Sequence, residues 1–144
     1  MTYRPSWTIF PASLLLLAIL LPGLQVRAAQ AAPSDYIEDE AGVIGPETRA
    51  AASAILRELE QKTLAQVVVL TVKTTGGIPI EQYALERAEA WRLGRRGKDD
   101  GMLLVVAVLD RKYRFETGYG LEQILPDSLL GTIGRKTLVP AFRQ

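Results

Sequence analysis

The chain has 144 residues, of which 48% are hydrophobic, and its 17 basic and 16 acidic side chains give a formal net charge of +1 at pH 7. The absence of cysteine excludes disulfides, thiolate metal sites and cysteine nucleophiles. The absence of histidine removes the commonest general base near neutral pH and the usual protein ligand of zinc, copper and iron. Any chemistry must therefore use carboxylates, hydroxyls, lysine, arginine and the backbone.

The first 31 residues have the pattern of an export signal. Arg4 precedes an apolar stretch from Phe10 to Leu24, and Ala29-Gln30-Ala31 is a small-residue pattern of the kind that signal peptidase cleaves. The apolar stretch is short for a bilayer span and contains a Pro-Gly pair near its end, which favours a cleaved signal over an uncleaved anchor. We therefore predict a signal peptide at residues 1–31 and a mature domain at residues 32–144 without a transmembrane helix.

This export signal predicts a location outside the cytoplasm, either periplasmic or secreted, with membrane attachment if the N-terminal segment is retained. Removal of residues 1–31 takes away Arg4 and Arg27, which leaves 15 basic and 16 acidic side chains and a net charge of −1. A nearly neutral domain has no basic footprint for a phosphate backbone, so we expect no nucleic-acid partner.

The first predicted helix follows an acidic segment, residues 35–44, that turns at Gly42. Gly45 and Pro46 open this helix, because proline is favoured at the first helical position. Its periodicity predicts an apolar, buried face composed of Ala51, Ile55 and Leu59, with Leu56 beside it.

The sequence of the middle of the domain, residues 67–109, predicts two buried strands separated by a helix. Val67 to Val72 is an unbroken apolar and β-branched run, which is typical of a strand covered on both faces. After a turn at residues 74–77, a helix from about Pro79 to Leu93 carries an inward stripe of Ile80, Ala84, Ala88 and Trp91. The run from Met102 to Leu109 predicts the second buried strand.

The predicted C-terminal part contains a hairpin and a last helix. An Asp110-Arg111 turn leads into an alternating strand at residues 113–117, whose single wet face indicates a sheet edge. The last helix begins near Asp127, carries Leu129, Leu130 and Ile133, and should stop at Pro140. Strand, helix, strand and hairpin in this order predict a right-handed parallel crossover and an antiparallel edge pair. The fold class is therefore α/β, a small three-layer α/β/α sandwich with a mixed sheet.

This topology brings several acidic residues to one end of the sheet. Asp99 and Asp100 precede a strand, and the antiparallel return of the next strand places Gly118 to Glu122 beside them, with Asp127 following closely. Oxygen ligands select hard cations, so we predict a Ca²⁺ or Mg²⁺ site formed by Asp99, Asp100, Asp127 and Glu122, with backbone carbonyls of residues 118–120 as additional ligands. Asp39 and Asp110 should lie at the opposite end.

Plainer interpretations exist for the same residues. Lys98-Asp99-Asp100-Gly101 is also ordinary turn chemistry, and Asp127 also complements a helix dipole. The Gly-Tyr-Gly motif at residues 118–120 is too short for a nucleotide fingerprint. The Asp-Asp-Gly-Met-Leu sequence resembles the signature of haloacid-dehalogenase-type phosphatases, but Lys98 stands where their nucleophilic aspartate would be, so we reject that assignment.

Several motifs together resemble the TPM domain family over residues 35–142. They are Asp39-Glu40-Ala41-Gly42, Trp91-Arg92-Leu93-Gly94, Asp99-Asp100-Gly101-Met102-Leu103-Leu104, Glu116-Thr117-Gly118-Tyr119-Gly120-Leu121-Glu122 and Leu125-Pro126-Asp127. The resemblance implies an exported and often membrane-tethered α/β/α domain that binds calcium or a similar cation and helps to maintain membrane complexes. Acid phosphatase activity is attributed to some members and doubted in others. Family domains usually continue beyond the point that corresponds to Gln144, so the C-terminus is either naturally short or truncated.

Two functions remain open after the sequence analysis. The first is a non-enzymatic domain that binds Ca²⁺ or Mg²⁺ and acts outside the cytoplasm on a membrane-associated protein partner. The second is a metal-assisted acid phosphatase acting on phosphomonoesters. The residues favour the first, because Ser128 near the predicted site has no base beside it to activate it.

Overall fold

The computed structural model describes residues 33–143 of the chain, and the predicted signal peptide lies outside them. The described residues form, in chain order, β1 (Ile37–Asp39), α1 (Pro46–Thr63), β2 (Gln66–Val72), α2 (Ile80–Trp91), β3 (Gly101–Ala107), β4 (Lys112–Thr117) and α3 (Asp127–Ala141). A single turn of 3-10 helix, Tyr119–Leu121, connects β4 to α3. Within residues 33–143, no helix is long and apolar enough to cross a bilayer.

The strands form one mixed sheet in the order β1-β2-β3-β4. Strands β1, β2 and β3 are parallel, and β4 pairs antiparallel with β3 at the sheet edge, which confirms the predicted α/β class and the edge hairpin. Strand β1 adds to the predicted sheet. Its three residues are too few to show an alternating pattern, and they become a strand because they pair with Val69–Thr71 of β2.

Helix α2 covers one face of the central strands with the stripe that its periodicity predicts. Alternate residues of the paired strands are buried on this face, namely Val68, Leu70 and Val72 of β2 and Leu103, Val105 and Ala107 of β3. Ile80, Ala84 and Trp91 of α2 pack against them. On the other face, Gly134 of α3 packs directly against the ring of Tyr113 in β4. Helices therefore lie on both faces, as a three-layer sandwich requires.

Helix α1 turns a different side toward the sheet from the predicted one. Its side chains Ala51, Ile55 and Leu59 are exposed, and Ile55 retains 65% of its accessible surface. Ser53 is the buried residue of this helix. The predicted buried face was wrong, because the inward side of α1 makes polar contacts that a hydrophobic pattern does not register.

Those polar contacts join α1 to the chain around β1. The Arg49 guanidinium donates to the Ile37 carbonyl (2.7 Å), and the Ser53 hydroxyl donates to the Asp35 carboxylate (2.9 Å). Further along the helix, the Tyr36 hydroxyl donates to Glu60 (2.6 Å). These hydrogen bonds, together with the half-buried side chains of Ala52 and Leu56, hold the helix against the sheet.

Two predicted boundaries also shift. Strand β3 ends at Ala107, so Leu109 lies in the hairpin turn and is 73% exposed instead of buried. Helix α3 continues through Pro140 to Ala141. A proline in the last turn removes only one backbone hydrogen bond there, so the helix ends just after it and not before it.

The burial of Leu103 under α2 and the exposure of Ile55 on α1 predict different effects of substitution on the free energy of unfolding. Leu103→Ala should lower the free energy of unfolding by about 2–5 kcal/mol, because it opens a cavity under α2. Ile55→Ala should change it by no more than about 0.5 kcal/mol, since the side chain is exposed. Urea denaturation monitored by circular dichroism measures both values, and equal losses would contradict the orientation of α1.

Candidate functional site

The loops before β3 and after β4 meet at one end of the sheet, as the sequence predicts. The Gly118 N–H donates to the Gly101 carbonyl (2.8 Å), and the Gly120 N–H donates to the Asp99 carbonyl (3.0 Å). A methyl group on Gly118 would overlap the Asp99 carbonyl, and one on Gly120 would overlap the Lys98 carbonyl. Glycine is required at both positions because the two backbones approach so closely.

The chain leaving α2 joins the same contact from the other side. Gly94 has a φ of 86° and its N–H donates to the Gln66 side-chain oxygen (2.8 Å). A methyl group on Gly94 would overlap the backbone nitrogen of Gly101. We call the resulting contact between residues 93–94, 98–101 and 118–120 the loop junction.

Asp100, within the loop junction, is buried, and its carboxylate is hydrogen-bonded by Arg95. The Arg95 backbone N–H donates to one carboxylate oxygen (2.7 Å), and the Arg95 Nε donates to the other (2.7 Å). The Arg95 N–H holds the pKa of Asp100 below its ordinary value of 3.8, and the guanidinium adds to this effect against the opposing influence of burial. Asp100 therefore closes the loop from 95 to 100.

The four predicted metal ligands separate into two that share a cleft and two that do not line it. Asp99 has a φ of 50° and an exposed side chain, and both Asp99 and Glu122 line the cleft described below. Asp100 faces Arg95, and Asp127 lies in the exposed first turn of α3. The assignment of these four residues to a cation stays a prediction.

A cleft of about 570 Å³ opens between α2, the end of β4 and the loop junction. Its floor is apolar and includes Leu85, Ala88, Leu93 and Leu103. Its lining also contains four carboxylates, of Glu89, Asp99, Glu116 and Glu122. An apolar floor with a few polar groups is the usual composition of a ligand site.

Glu89 and Glu116 were not singled out from the sequence. Glu116 pairs in register with Leu103, and this pairing directs it toward the α2 side of the sheet. Glu89 lies in the last turn of α2. The alternating pattern of β4 predicts that Glu116 lies on its polar face. Only the position of α2 over β4 shows that Glu89 and Glu116 line the same cleft.

Three of the four carboxylates have no partner within residues 33–143. The side-chain carboxylates of Glu89, Asp99 and Glu122 make neither a hydrogen bond nor an ion pair there, whereas the Glu116 carboxylate contacts Arg114 Nε (3.2 Å). Across the same described range, no three acidic side chains converge into a ready-made metal cage. The rim is therefore negatively charged but spread out.

A second pocket, of about 550 Å³, adjoins the cleft and is basic. Arg92, Arg95 and Arg96 line it, and it shares Arg92, Leu93 and Asp99 with the cleft. Anionic and cationic side chains thus occupy neighbouring pockets at one end of the sheet.

The opposite end of the sheet holds Asp39 and Asp110, as predicted, and both have structural contacts there. Asp39 accepts hydrogen bonds from the Thr71 hydroxyl and from the N–H groups of Gly42, Val43 and Ile44. Asp110 accepts from the Thr75 N–H (2.8 Å) and the Thr74 hydroxyl (2.8 Å). These bonds fix the two turns that leave β1 and β2.

Comparison with known proteins defines the class of this domain. The family model of the TPM domain matches residues 37–144, so the chain belongs to the TPM domain family. A solution structure of the N-terminal domain of a P. gingivalis protein is similar, with 35% identity, a TM-score of 0.71, and coverage of 76% of this chain and 69% of that one. No curated protein sequence matches the chain.

A second solved structure shows the same fold at lower identity. It is the N-terminal domain of a Corynebacterium glutamicum protein, with 15% identity and a TM-score of 0.62, covering 86% of this chain and 74% of that one. The four-stranded mixed sheet with its helices is therefore retained when most side chains differ.

The Asp100–Arg95 contact predicts a pH-dependent stability. Because the folded-state pKa of Asp100 is lowered, its contribution is present above the unfolded-state pKa of 3.8 and is lost as the pH falls through the folded-state pKa. Asp100→Asn should cost about 1–3 kcal/mol at pH 7. It should also reduce the loss of stability between pH 6 and about pH 2.5.

Urea denaturation at several pH values measures this dependence. Asp127→Asn removes the same charge from an exposed position and serves as the control. If Asp100→Asn and Asp127→Asn reduced the acid loss equally, the structural role of Asp100 would be disproved.

Proposed function

We propose that this TPM domain is an extracytoplasmic accessory domain that binds a divalent cation, Ca²⁺ or Mg²⁺, at the acidic rim of its cleft. The observation that carries the proposal is the presence of three unpartnered carboxylates, of Glu89, Asp99 and Glu122, on the lining of a single cleft. Unneutralised carboxylates around a partly apolar cleft raise the local concentration of cations. Carboxylate oxygens select hard cations among them.

Asp99 and Glu122 are the proposed principal ligands. They belong to the two loops that the loop junction holds together, and both side chains line the cleft. Ca²⁺ accepts six to eight oxygen ligands in flexible geometry and fills vacant positions with water or backbone carbonyls. Because the carboxylates do not converge beforehand, we expect a dissociation constant of about 0.1–1 mM, in the range of extracellular calcium modules.

The proposed role is non-enzymatic, with a membrane-associated protein as the partner. The chain has no histidine and no cysteine, which removes the commonest general base and the strongest nucleophile. Export through residues 1–31 belongs to the same proposal, since a millimolar cation site is useful only where free calcium is that abundant.

Cation binding should be detectable by NMR. Addition of Ca²⁺ to the protein should shift the amide signals of Gly101, Gly118 and Glu122 in a saturable way. The double substitution Asp99→Asn/Glu122→Gln should weaken binding at least about tenfold, because both unpartnered charges are lost.

Glu81→Gln with Glu47→Gln is the matched control, because it removes the same number of charges from helix starts away from the cleft. Saturable shifts that persist in the cleft variant would place the cation elsewhere. The proposal would be refuted if neither Ca²⁺ nor Mg²⁺ caused saturable shifts in the unchanged protein.

A second candidate, a metal-assisted phosphomonoesterase, is favoured by one observation. The basic pocket and the acidic cleft share Arg92 and Asp99, so a phosphate held by Arg92 and Arg96 would lie beside the proposed cation ligands. A bound divalent cation supplies Lewis acidity and activates water for attack on phosphorus. The arginines orient the phosphoryl oxygens, since guanidinium groups match their geometry.

This candidate is tested by phosphomonoester hydrolysis together with phosphate binding. Arg92→Gln/Arg96→Gln should abolish turnover and weaken the binding of inorganic phosphate measured by calorimetry, while Ca²⁺ titration shifts persist. Arg57→Gln/Arg143→Gln is the charge-matched control. Turnover that survives in the Arg92→Gln/Arg96→Gln protein would exclude these pockets as its source.

A further inference from the structure

The outward side of α1 carries a regular stripe that the fold leaves uncovered. At 3.6 residues per turn, Thr48, Ala51, Ile55, Leu59 and Lys62 lie within roughly 80° of one another around the helix axis. All five side chains are exposed. We call this set the α1 stripe.

The α1 stripe is not needed to attach the helix to the sheet. The inward side of α1 already has its hydrogen bonds, through Arg49, Ser53 and Glu60. The inward side also carries the half-buried Ala52 and Leu56, so Ala51, Ile55 and Leu59 form a second aliphatic surface that faces solvent. The aliphatic side chains are therefore available to a partner.

The order of residues along the stripe is complementary to itself. When two copies of α1 pack antiparallel about a two-fold axis at Ile55, Ile55 meets its own equivalent and the small Ala51 faces the large Leu59 of the second copy. Lys62, which forms an exposed ion pair with Glu58 of its own helix, then faces Thr48 and the neighbouring Glu47 at the start of the other helix. Apolar positions meet apolar positions, and the basic end meets the acidic end, as an isologous contact requires.

We propose that the α1 stripe is a homodimer interface at which a second copy of this chain packs its own α1 antiparallel. An 18-residue helix is about 27 Å long, which limits the buried area to that of a small interface. The dimer is consequently weak, with a dissociation constant between about 1 µM and 1 mM. The loop junction and cleft lie outside this contact.

Disulfide trapping tests the proposed axis directly, because the full 144-residue chain contains no cysteine. Ile55→Cys in the full chain should give a disulfide-linked dimer as the main product of mild oxidation, since each Cys faces its equivalent across the axis. Gln61→Cys is exposed on the same helix but lies away from the stripe, and it should remain mainly monomeric. Equal dimer yields from the two variants would overturn the proposal.

A charge exchange tests the antiparallel direction. Glu47→Lys and Lys62→Glu should each raise the dimer dissociation constant about three- to tenfold in sedimentation equilibrium, because the two-fold axis repeats each repulsion. The double variant Glu47→Lys/Lys62→Glu should return to within about twofold of the original value. Failure of the double variant to recover, with unchanged circular dichroism, would refute the antiparallel pairing.

Ile55→Lys distinguishes the proposed dimer from non-specific hydrophobic association. It should abolish the dimer and leave the thermal midpoint unchanged, whereas Ile124→Lys, at a similarly exposed apolar residue between β4 and α3, should leave the dimer intact. Dimers that survive Ile55→Lys, or occupation of the α1 stripe by the chain's own N-terminal apolar segment in cross-linking, would likewise overturn the proposal.

Discussion

The close backbone contact between two loops, the one from α2 to β3 and the one that follows β4, is the constraint on which this end of the molecule depends. Gly94, Gly101, Gly118 and Gly120 each lack a side chain where another backbone passes. Hydrogen bonds from Gly118 to Gly101 and from Gly120 to Asp99 then join the segment after β4 to the segment before β3. Because backbone meets backbone, the position of the cleft lining follows from main-chain geometry and is insensitive to side-chain rotamers.

The loop junction also explains why neighbouring aspartates have different environments. The positive φ at Asp99 turns its side chain to solvent, while Asp100 is directed inward to Arg95. The Asp100 carboxylate therefore closes the loop through its contact with Arg95, and the Asp99 carboxylate remains without a partner on the cleft lining. The arginines of that loop line the adjoining basic pocket, so opposite charges occupy neighbouring positions. A TPM domain built in this way has a charged end and, at α1, a separate aliphatic surface.

Much of the fold could be predicted from local sequence patterns, but the candidate site could be predicted only in part. The stripe of α2 and the hairpin were predictable because burial there repeats with the period of each element. The inward side of α1 was not predictable from periodicity, because Arg49, Ser53 and Glu60 are held there by hydrogen bonds to residues near β1. Strand β1 itself exists only through pairing with β2. Similarly, Glu89 and Glu116 are brought to one cleft only when α2 lies over β4.

The sequence by itself determined the class of the fold, the family motifs and the meeting of the glycine loop with the aspartate pair. These properties depend on periodicity, chain direction and the special backbone freedom of glycine, all of which are local. Only the tertiary structure decided which carboxylates are free, which one is neutralised by Arg95, and which side of α1 faces solvent. Those outcomes depend on distances between residues far apart in the chain, and a residue's type does not specify its distant neighbours.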